Sequence, residues 1–194
     1  ESFAKELQAR FPRTNVLNYA ADLSDKSATE SFAKWCLQHC VPDVLVNNAG
    51  SFLPGSVHSE EAGTLEQMIA VNLYSAYHLT RALLPKMMER KTGHIFNMCS
   101  IASLKAYENG GSYSISKFAL AGFSKNLREE MKSYNIKVTA VYPGAVYTDS
   151  WAGAVSRNRI MEAKDIADMI YAAVRLSSQA CVEEIVIRPQ LGDL

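Results

Sequence analysis

Apolar residues recur along this chain at two spacings, and segments with a helical spacing alternate with short, continuously apolar runs. Phe3, Leu7 and Phe11 recur every four residues, which predicts an amphipathic helix that ends at Pro12. Ser24 is the predicted N-cap of a second helix, because its hydroxyl can accept a backbone hydrogen bond there. The same pattern predicts further helices at residues 60–90, 111–134 and 163–176.

Short runs rich in β-branched and aliphatic residues separate these helices. They predict strands at residues 16–21, 44–46, 93–99, 136–142 and 184–188. The run from Val44 to Val46 has no polar position, which is typical of a strand buried on both faces. Strands that alternate with helices of about ten or more residues indicate right-handed βαβ units. We therefore expect an α/β fold, a doubly wound and mostly parallel sheet in a three-layer α/β/α arrangement, as a single domain over residues 1–194.

Composition narrows the class of protein. Of the 194 residues, 48% are hydrophobic, and 20 basic residues balance 20 acidic ones. The first value excludes a disordered chain, and the balance of charge excludes the strongly basic surface of a nucleic-acid-binding protein. No apolar run reaches the roughly 20 residues that span a bilayer, and the charged first segment is unlike a signal peptide. We expect a cytoplasmic protein with neither nucleic acid nor membrane as a partner.

The cysteines do not form a metal-binding pattern. Cys36 and Cys40 are four residues apart on a predicted helix, and Cys99 and Cys181 are distant from them in the sequence. No second pair of cysteine or histidine residues completes a zinc set. We predict that the cysteines are reduced and contribute to packing, and that no metal is bound.

The strongest candidate for chemistry is Tyr113 with Lys117, near the start of a predicted helix. Their spacing of four residues places both side chains on one helix face. A phenol with a pKa of about 10 is a weak acid–base group at neutral pH, but a nearby ammonium group lowers that pKa. The pair can then donate or accept a proton. Taken alone, the same spacing is more typical of a solvated helix face.

Ser100 strengthens this prediction because it directly follows the strand predicted at residues 93–99. Parallel sheets bind ligands at the carboxyl ends of their strands, so we expect the site at the loops after residues 21, 46, 99 and 142. A serine hydroxyl there can hydrogen-bond a substrate oxygen and stabilise developing negative charge. A lone serine is more often a turn residue, but Ser100 combined with Tyr113 and Lys117 is rarely accidental.

An ordered set of short motifs resembles one known family. The chain carries Asn47-Asn48-Ala49-Gly50 after a predicted strand, then Ser100, then Tyr113 with Lys117, then Pro143-Gly144 after the next strand. This pattern extends over nearly the whole chain and is similar to that of short-chain dehydrogenases/reductases. The resemblance implies a Rossmann-type fold and an enzyme that transfers hydride between a nicotinamide cofactor and a carbonyl or alcohol.

The resemblance also implies a role for each matching residue. Tyr113 would be the acid–base group, Ser100 would hold the substrate oxygen, and Lys117 would lower the tyrosine pKa and hold the nicotinamide ribose. Asn72 would hold a water molecule in the proton relay, whereas taken alone it is a polar residue in a buried helix. The implied cofactor-binding residues are Asp22, Leu23, Asn48, Ala49, Gly50, Val71, Tyr113, Lys117, Pro143, Gly144, Val146 and Thr148.

The chain departs from the family pattern at its first residues. Family members open with a strand and a glycine-rich turn, where a helix N-terminus receives the pyrophosphate, and this sequence has no such segment. We expect a truncated chain in which the first strand and that turn are missing. The residues that separate NADP from NAD usually lie there; the leading interpretation is NADP(H) in preference to NAD(H). Asp22 has a second explanation, because an acidic residue before Ser24 is ordinary helix-start chemistry.

The carboxyl-terminal part indicates a group of reductases within the family. Residues 181–189, and residues 144–148 followed by Trp151, are similar to small bacterial reductases close to sepiapterin reductase. The 3-oxoacyl-acyl-carrier-protein reductases share these features, so both substrate classes stay open. Trp151, Phe52 and Tyr107 could face a substrate, although core packing or plain exposure is the favoured interpretation of such aromatic residues.

Two other functions compete with the reductase. A non-catalytic dinucleotide-sensing or scaffold protein can share the fold, but it needs no proton relay, so Asn72, Ser100, Tyr113 and Lys117 argue against it. An extended-family epimerase shares the tyrosine–lysine pair but normally has a larger carboxyl-terminal domain. The family further implies a homodimer or homotetramer formed through the helices predicted at residues 65–90 and 111–134.

Overall fold

The computed structural model describes residues 2–148 and 155–193, which form alternating helices and strands. The helices are α1 (Ser2–Arg10), α2 (Lys26–His39), α3 (Thr64–Ile69), α4 (Ser75–Arg90), α5 (Gly111–Met131) and α6 (Ala163–Val174). The strands are β1 (Val44–Asn47), β2 (Gly93–Met98), β3 (Ile136–Pro143) and β4 (Glu184–Ile187). A π-helical turn, Ala70–Tyr74, joins α3 to α4. Short 3-10 turns lie at Ile101–Ser103, Lys132–Tyr134 and Arg157–Arg159.

The four strands form one parallel sheet in the order β1-β2-β3-β4. One face packs against α2, α4 and α5 through a core that includes Ile95 and Val138. The opposite face packs against α6 through Phe96, Val141 and Ile166. Helices therefore cover both faces, and the predicted Rossmann-type three-layer α/β/α architecture is confirmed.

A buried polar network joins the sheet to the helices at the point where β1 ends. The Asn47 amide donates hydrogen bonds to Thr80 Oγ1 of α4 (2.9 Å) and to Asn97 Oδ1 of β2 (2.8 Å). The Asn97 amide in turn donates to Ser124 Oγ of α5 (2.9 Å). Buried side-chain networks of this kind fix one arrangement of their elements, because an unmade hydrogen bond in the interior is costly. The network thus fixes the start of the loop that follows β1.

The first predicted strand does not form, and the second is only half-buried. Residues 16–21 carry no strand pairing in the structure, since no described strand lies beside them. In β1, Leu45 and Asn47 are buried, but Val44 and Val46 are 38% and 40% exposed. The prediction that this strand is buried on both faces is therefore wrong: α2 and α4 cover one face, and the valine face stays open.

Several element ends also differ from the sequence-based prediction. The N-cap of α2 is Asp25, whose carboxylate accepts a hydrogen bond from the Ala28 amide (2.6 Å), whereas Ser24 bonds to Asp22. The helix predicted from residue 60 begins at Thr64, after a turn in which the Ser59 and Glu60 amides both donate to the Ser56 carbonyl. Among the described residues, no helix is long and apolar enough to cross a membrane, and no cluster of metal-ligating residues occurs.

Candidate active site

The candidate site lies where the carboxyl ends of the central strands meet the start of α5. Ser100 follows β2 directly and is the N-cap of the turn Ile101–Ser103, where its Oγ accepts a hydrogen bond from the Ala102 amide (3.2 Å). Tyr113 lies in the first turn of α5, and Lys117 lies one turn later. The Ser100 hydroxyl lies close enough to the Tyr113 phenol to lower its pKa. The structure thus brings together three of the predicted site residues.

Lys117 is a buried cation at this site. Its side chain is 6% exposed, and its Nζ donates a hydrogen bond to the carbonyl of Met98 at the end of β2 (2.8 Å). The Nζ lies 5.9 Å from the centroid of the Tyr113 ring. Burial disfavours the charged amine and lowers the pKa of Lys117 to about 8. Lys117 therefore exchanges its proton much closer to neutral pH than an exposed lysine does.

The pKa of Tyr113 is raised above its ordinary value, because burial of the phenol disfavours the phenolate. The nearby Ser100 hydroxyl acts in the opposite direction and offsets only part of this effect. That the ammonium of Lys117 lowers this pKa stays a prediction, because the groups acting on the phenol here are its buried surroundings, Ser100, Tyr107 and Cys99. Burial dominates because Lys117 is held against the Met98 carbonyl rather than against the phenol oxygen.

Asn72 lies in the π-helical turn and is completely buried. Its Oδ1 accepts a hydrogen bond from the Ser51 amide (2.8 Å), and its Nδ2 donates to the Ser51 carbonyl (3.0 Å) and to Ser116 Oγ (2.9 Å). The Ser116 hydroxyl donates to the carbonyl of Tyr113 (2.7 Å). Asn72 therefore ties the loop after β1 to the helix that carries Tyr113 and Lys117.

Gly50 occupies a position next to the site where no larger residue fits without movement. A Cβ at this position would lie 3.0 Å from Asn72 Oδ1 and 3.4 Å from Lys117 Nζ. The neighbouring residues Asn48 and Ala49 are exposed, as is Gly50 itself. The loop thus places exposed residues directly beside a buried cation.

The segment after β3 is anchored on two sides. The Gly144 amide donates to the carbonyl of Ile187 (2.8 Å), and Val146 forms a parallel bridge with Met161. A Cβ on Gly144 would lie 2.9 Å from Asp193 Oδ1. Pro143, Gly144, Val146 and Thr148 therefore follow one another at the carboxyl end of β3, the edge at which Tyr113 and Lys117 are found.

The profile of the family described as short chain dehydrogenase matches residues 1–159 of this chain. The chain belongs to the short-chain dehydrogenase family. It is accordingly an NAD(P)-dependent oxidoreductase.

Individual relatives agree with this assignment. Sepiapterin reductase of Chlorobaculum tepidum is 31% identical over 197 residues, a match that covers 100% of this chain and 80% of the relative. An uncharacterized oxidoreductase of Staphylococcus epidermidis is 29% identical over 172 residues, 88% of this chain and 75% of the relative. The structure of a metagenomic short-chain oxidoreductase in complex with NADP has a TM-score of 0.83 at 31% identity, over 97% of this chain and 80% of the other. The closed form of serine dehydrogenase complexed with NADP+ has a TM-score of 0.86 at 25% identity. The match covers 100% of this chain and 84% of the other.

The residues of this short-chain dehydrogenase fit a nicotinamide cofactor at the edge described above. The Gly50 backbone lies close against Asn72 and Lys117, where a Cβ would meet Asn72 Oδ1 at 3.0 Å, and residues 48–50 are exposed. Glycine allows the close backbone approach that a bound dinucleotide requires. Lys117 adds a buried positive charge within the same neighbourhood.

Other predicted site residues make local contacts in the described part of the chain. Asp22 accepts hydrogen bonds from the amide (2.9 Å) and hydroxyl (2.6 Å) of Ser24, and these bonds lower its pKa. The Leu23 carbonyl accepts from Thr29 Oγ1 (3.1 Å), and the Val71 carbonyl from Ser75 Oγ (2.6 Å). The contacts of Asp22 are those of ordinary helix-start chemistry, and its cofactor role stays a prediction.

Of the three aromatic residues that the sequence suggests could face a substrate, Phe52 and Tyr107 lie in different surroundings. The ring of Phe52 stands edge-on to the ring of Tyr113, with 4.8 Å between their centroids. Tyr107 is 47% exposed, in the loop before α5. Trp151 lies outside the described residues. Phe52 is thus the aromatic side chain shown in contact with the candidate site.

Three polar residues at the site are absent from the sequence-based prediction. Ser116 and Ser112 both lie in α5 and are buried, and Glu60 bonds to Ser112 from a loop 52 residues earlier. Ser112 directly precedes Tyr113 and Ser116 follows it by three residues, so the sequence already indicates that both lie near it. A serine alone, however, does not indicate a function. Nothing in the local pattern around Glu60 indicates a distant helix as its partner.

Proposed function

We propose that this short-chain dehydrogenase reduces a carbonyl group of a small molecule, or oxidises the matching alcohol, with Tyr113 as the acid–base group. The observation that carries the proposal is the convergence of Tyr113, Ser100 and Lys117 at the carboxyl end of β2. A protein that only binds a dinucleotide does not need a phenol, a hydroxyl and a buried amine close together. The competing sensing or scaffold function leaves this arrangement unexplained.

The proposed chemistry follows from the state of each side chain. A bound nicotinamide cofactor supplies the hydride in reduction and accepts it in oxidation. The raised pKa keeps the Tyr113 phenol protonated near neutral pH, so it can donate its proton to a substrate oxygen. Ser100, whose hydroxyl lies close enough to that phenol to lower its pKa, can donate to the same oxygen and stabilise its developing charge. Lys117 stabilises the phenolate that remains, through its positive charge 5.9 Å from the ring.

We propose NADP(H) in preference to NAD(H) as the cofactor. Two similar structures, those of the metagenomic oxidoreductase and serine dehydrogenase, hold NADP or NADP+. On this chain Lys117 would hold the nicotinamide ribose, while residues 48–50 and the segment after β3 would line the cofactor. Asn72 would hold a water molecule in the proton relay, next to the hydrogen bonds that its side chain makes with Ser51 and Ser116.

The proposed substrate class is a sepiapterin-like side-chain ketone, with a 3-oxoacyl thioester as the alternative. The sepiapterin reductase of Chlorobaculum tepidum supports the first, because it matches the whole of this chain. The Phe52 ring beside Tyr113 offers a flat apolar wall, which suits a planar substrate. NADPH and NADH oxidation against a panel of a pterin diketone, simple diketones and a 3-oxoacyl thioester separates these classes.

Three further properties complete the proposal. Residues 1–194 belong to one nucleotide-binding domain, and the protein acts in the cytoplasm, where its four free cysteines stay reduced. It forms a homodimer or homotetramer through the helical segments over residues 65–90 and 111–134, where Leu65, Tyr74, Ile115 and Phe118 are exposed. The partner in catalysis is a small molecule.

The decisive test is the substitution Tyr113→Phe in the full-length protein. Removal of the hydroxyl deletes the proton donor, so we expect kcat to fall about 100- to 10,000-fold, while the Kd for NADPH stays within about twofold. Steady-state rates and fluorescence titration of NADPH measure the two quantities. The matched control is Tyr134→Phe in the 3-10 turn after α5, which should retain wild-type kcat. Wild-type turnover by Tyr113→Phe would refute the assignment.

A further inference from the structure

The helix that carries Tyr113 has no cap of its own. Its N-cap residue is Gly110, which makes no side-chain hydrogen bond, and its first turn contains no acidic residue. The first amide groups of any helix lack partners within the helix, and the positive end of its dipole favours a negative charge nearby. The start of α5 therefore depends on groups from elsewhere in the fold.

Glu60 supplies those groups from the loop between β1 and α3. Its Oε1 accepts a hydrogen bond from the Ser112 amide (2.9 Å), and its Oε2 accepts from the Ser112 hydroxyl. Ser112 is 2% exposed and directly precedes Tyr113. Because bonds from a carboxylate are charge-assisted, this pair is a strong restraint on the first turn of the helix.

The backbone around this contact leaves room for the carboxylate. Gly111 has a φ of +38°, which favours glycine, and a Cβ there would overlap Glu60 Oε1 and the carbonyl of Gly55. A Cβ on Gly55 would lie 2.8 Å from Glu60 Cγ. Two glycines, one on each side, thus permit Glu60 to reach the helix.

A second set of hydrogen bonds joins the loop after β1 to the residues just before α5. The Gly55 amide donates to the Asn109 carbonyl (3.0 Å), and the Ser56 hydroxyl donates to Asn109 Oδ1 (2.8 Å). Phe52, in the same loop, contacts the Tyr113 ring edge-on. The loop over residues 52–60 and the start of α5 therefore hold each other at several points around Tyr113.

We propose that Glu60 is a positioning residue for the reaction: its carboxylate, through Ser112, sets where the Tyr113 phenol stands relative to Ser100. The inference rests on the proposed function of Tyr113. Glu60 itself does not touch the reacting atoms. Its removal lets the first turn of α5 shift, and the Tyr113 phenol moves away from the Ser100 hydroxyl.

The test compares Glu60→Ala, Glu60→Gln and the control Glu61→Ala in the full-length protein. Glu61 is the exposed neighbour of Glu60. Because a displacement of about 1 Å is costly for a reacting group, we expect kcat to fall about tenfold or more in Glu60→Ala, with the Kd for NADPH unchanged. Glu60→Gln keeps an acceptor for the Ser112 amide and should recover most of the loss. Glu61→Ala should match the wild type.

A spectroscopic readout separates positioning from a purely structural role. With 13C-labelled tyrosine, NMR follows the titration of the Tyr113 phenol, whose pKa the nearby Ser100 hydroxyl lowers. We expect this pKa to rise in Glu60→Ala and to stay near the wild-type value in Glu60→Gln. A lower Tm with unchanged kcat and unchanged Tyr113 titration would overturn the proposal. If Glu60→Ala does not fold, Ser112→Ala decides by the same two measurements.

The outcome also distinguishes this inference from the proposed function. If none of the carbonyl compounds in the panel causes the wild-type protein to oxidise NADPH, the proposed function fails. The Tyr113 titration then still reports whether Glu60 positions the phenol. If the wild type turns over and both Glu60 variants match it, only the positioning role fails.

Discussion

Lys117 combines burial with a position beside two other reactive groups. Among the described residues no carboxylate lies within ion-pair distance of its Nζ, which donates instead to the Met98 carbonyl. A buried ammonium without a carboxylate partner is destabilised relative to the neutral amine, and this is the reason for its lowered pKa. The neighbouring Cys99 thiol shows the same effect with the opposite sign, since burial raises its pKa to about 11. Cys99 therefore stays a neutral thiol beside the lysine.

The lowered pKa of Lys117 predicts a pH dependence for the reductive reaction. The charged form of an amine is its acid form, so the positive charge is present below a pH of about 8 and is lost above it. Without that charge, the phenolate left on Tyr113 loses its stabilisation, and we expect the reductive kcat/KM to decline above this pH. Initial rates of NADPH oxidation in a buffer series test this. A reductive kcat/KM that keeps rising well above pH 8 would contradict this role of Lys117.

At the scale of elements, the π-helical turn decides where Asn72 points. A single π-helical turn inserts one extra residue into an otherwise α-helical segment and rotates the side chains around it. In this chain the turn lies between α3 and α4, and Asn72 contacts Ser51 of the loop after β1 and Ser116 of α5. The three elements are thereby locked together around Lys117.

The strand pair β2–β3 contains a buried histidine, His94, which makes the stability of the fold depend on pH. His94 lies opposite Lys137 in the parallel register. Thr139 Oγ1 donates to the Val182 carbonyl (2.5 Å), so the His94 Nε2–H donates to Thr139 Oγ1 (2.7 Å). Burial first, and then the charge of Lys137, lower the pKa of His94 to about 4. The folded protein thus keeps this imidazole neutral.

We predict that acid destabilises the fold through His94. The unfolded histidine takes up its proton near its ordinary pKa of about 6.5, whereas the folded one has a pKa of about 4, so stability falls as the pH drops through this window. At about 1.4 kcal/mol for each unit of pKa, the loss reaches about 2–3 kcal/mol. Urea unfolding of wild type, His94→Gln and the exposed control His58→Gln at pH 7.5 and 4.5 measures it. An equal loss of stability in His94→Gln and wild type would disprove the role of His94.

At the scale of the whole molecule, four exposed apolar side chains belong to elements that pack against one another. Leu65, Tyr74, Ile115 and Phe118 are all between 41% and 48% exposed, and they belong to α3, the π-helical turn and α5. Contiguous apolar surface on a folded protein marks an interaction site. This surface is where we place the contact between subunits.

We therefore predict that Phe118→Glu weakens self-association. A charge buried at a subunit contact is strongly unfavourable, so sedimentation velocity should show a smaller species than for the wild type at the same concentration. Val57→Glu is the matched control, since Val57 is an exposed apolar residue of a loop and should leave the assembly unchanged. An assembly of wild-type size in Phe118→Glu would exclude this surface as the contact.

The sequence by itself determined the order of βαβ units, the parallel sheet and the family. These features are local: periodicity reports the face of each helix, and the motifs at Asn47, Ser100, Tyr113 and Pro143 are short runs with fixed spacings. The convergence of Ser100, Tyr113 and Lys117 could also be predicted, because parallel strands deliver their carboxyl ends to one edge. Their catalytic and cofactor-binding roles stay predictions.

Only the tertiary structure decided the features that depend on groups distant in the sequence. The valine face of β1 is open because exposure depends on which helices reach the strand, and residues 16–21 form no strand because pairing requires a neighbour. The pKa of Tyr113 is raised because burial outweighs the effect of the nearby Ser100 hydroxyl. The cap of α5 comes from Glu60, 52 residues before Ser112, and a contact over such a separation exists only once the chain between them has folded.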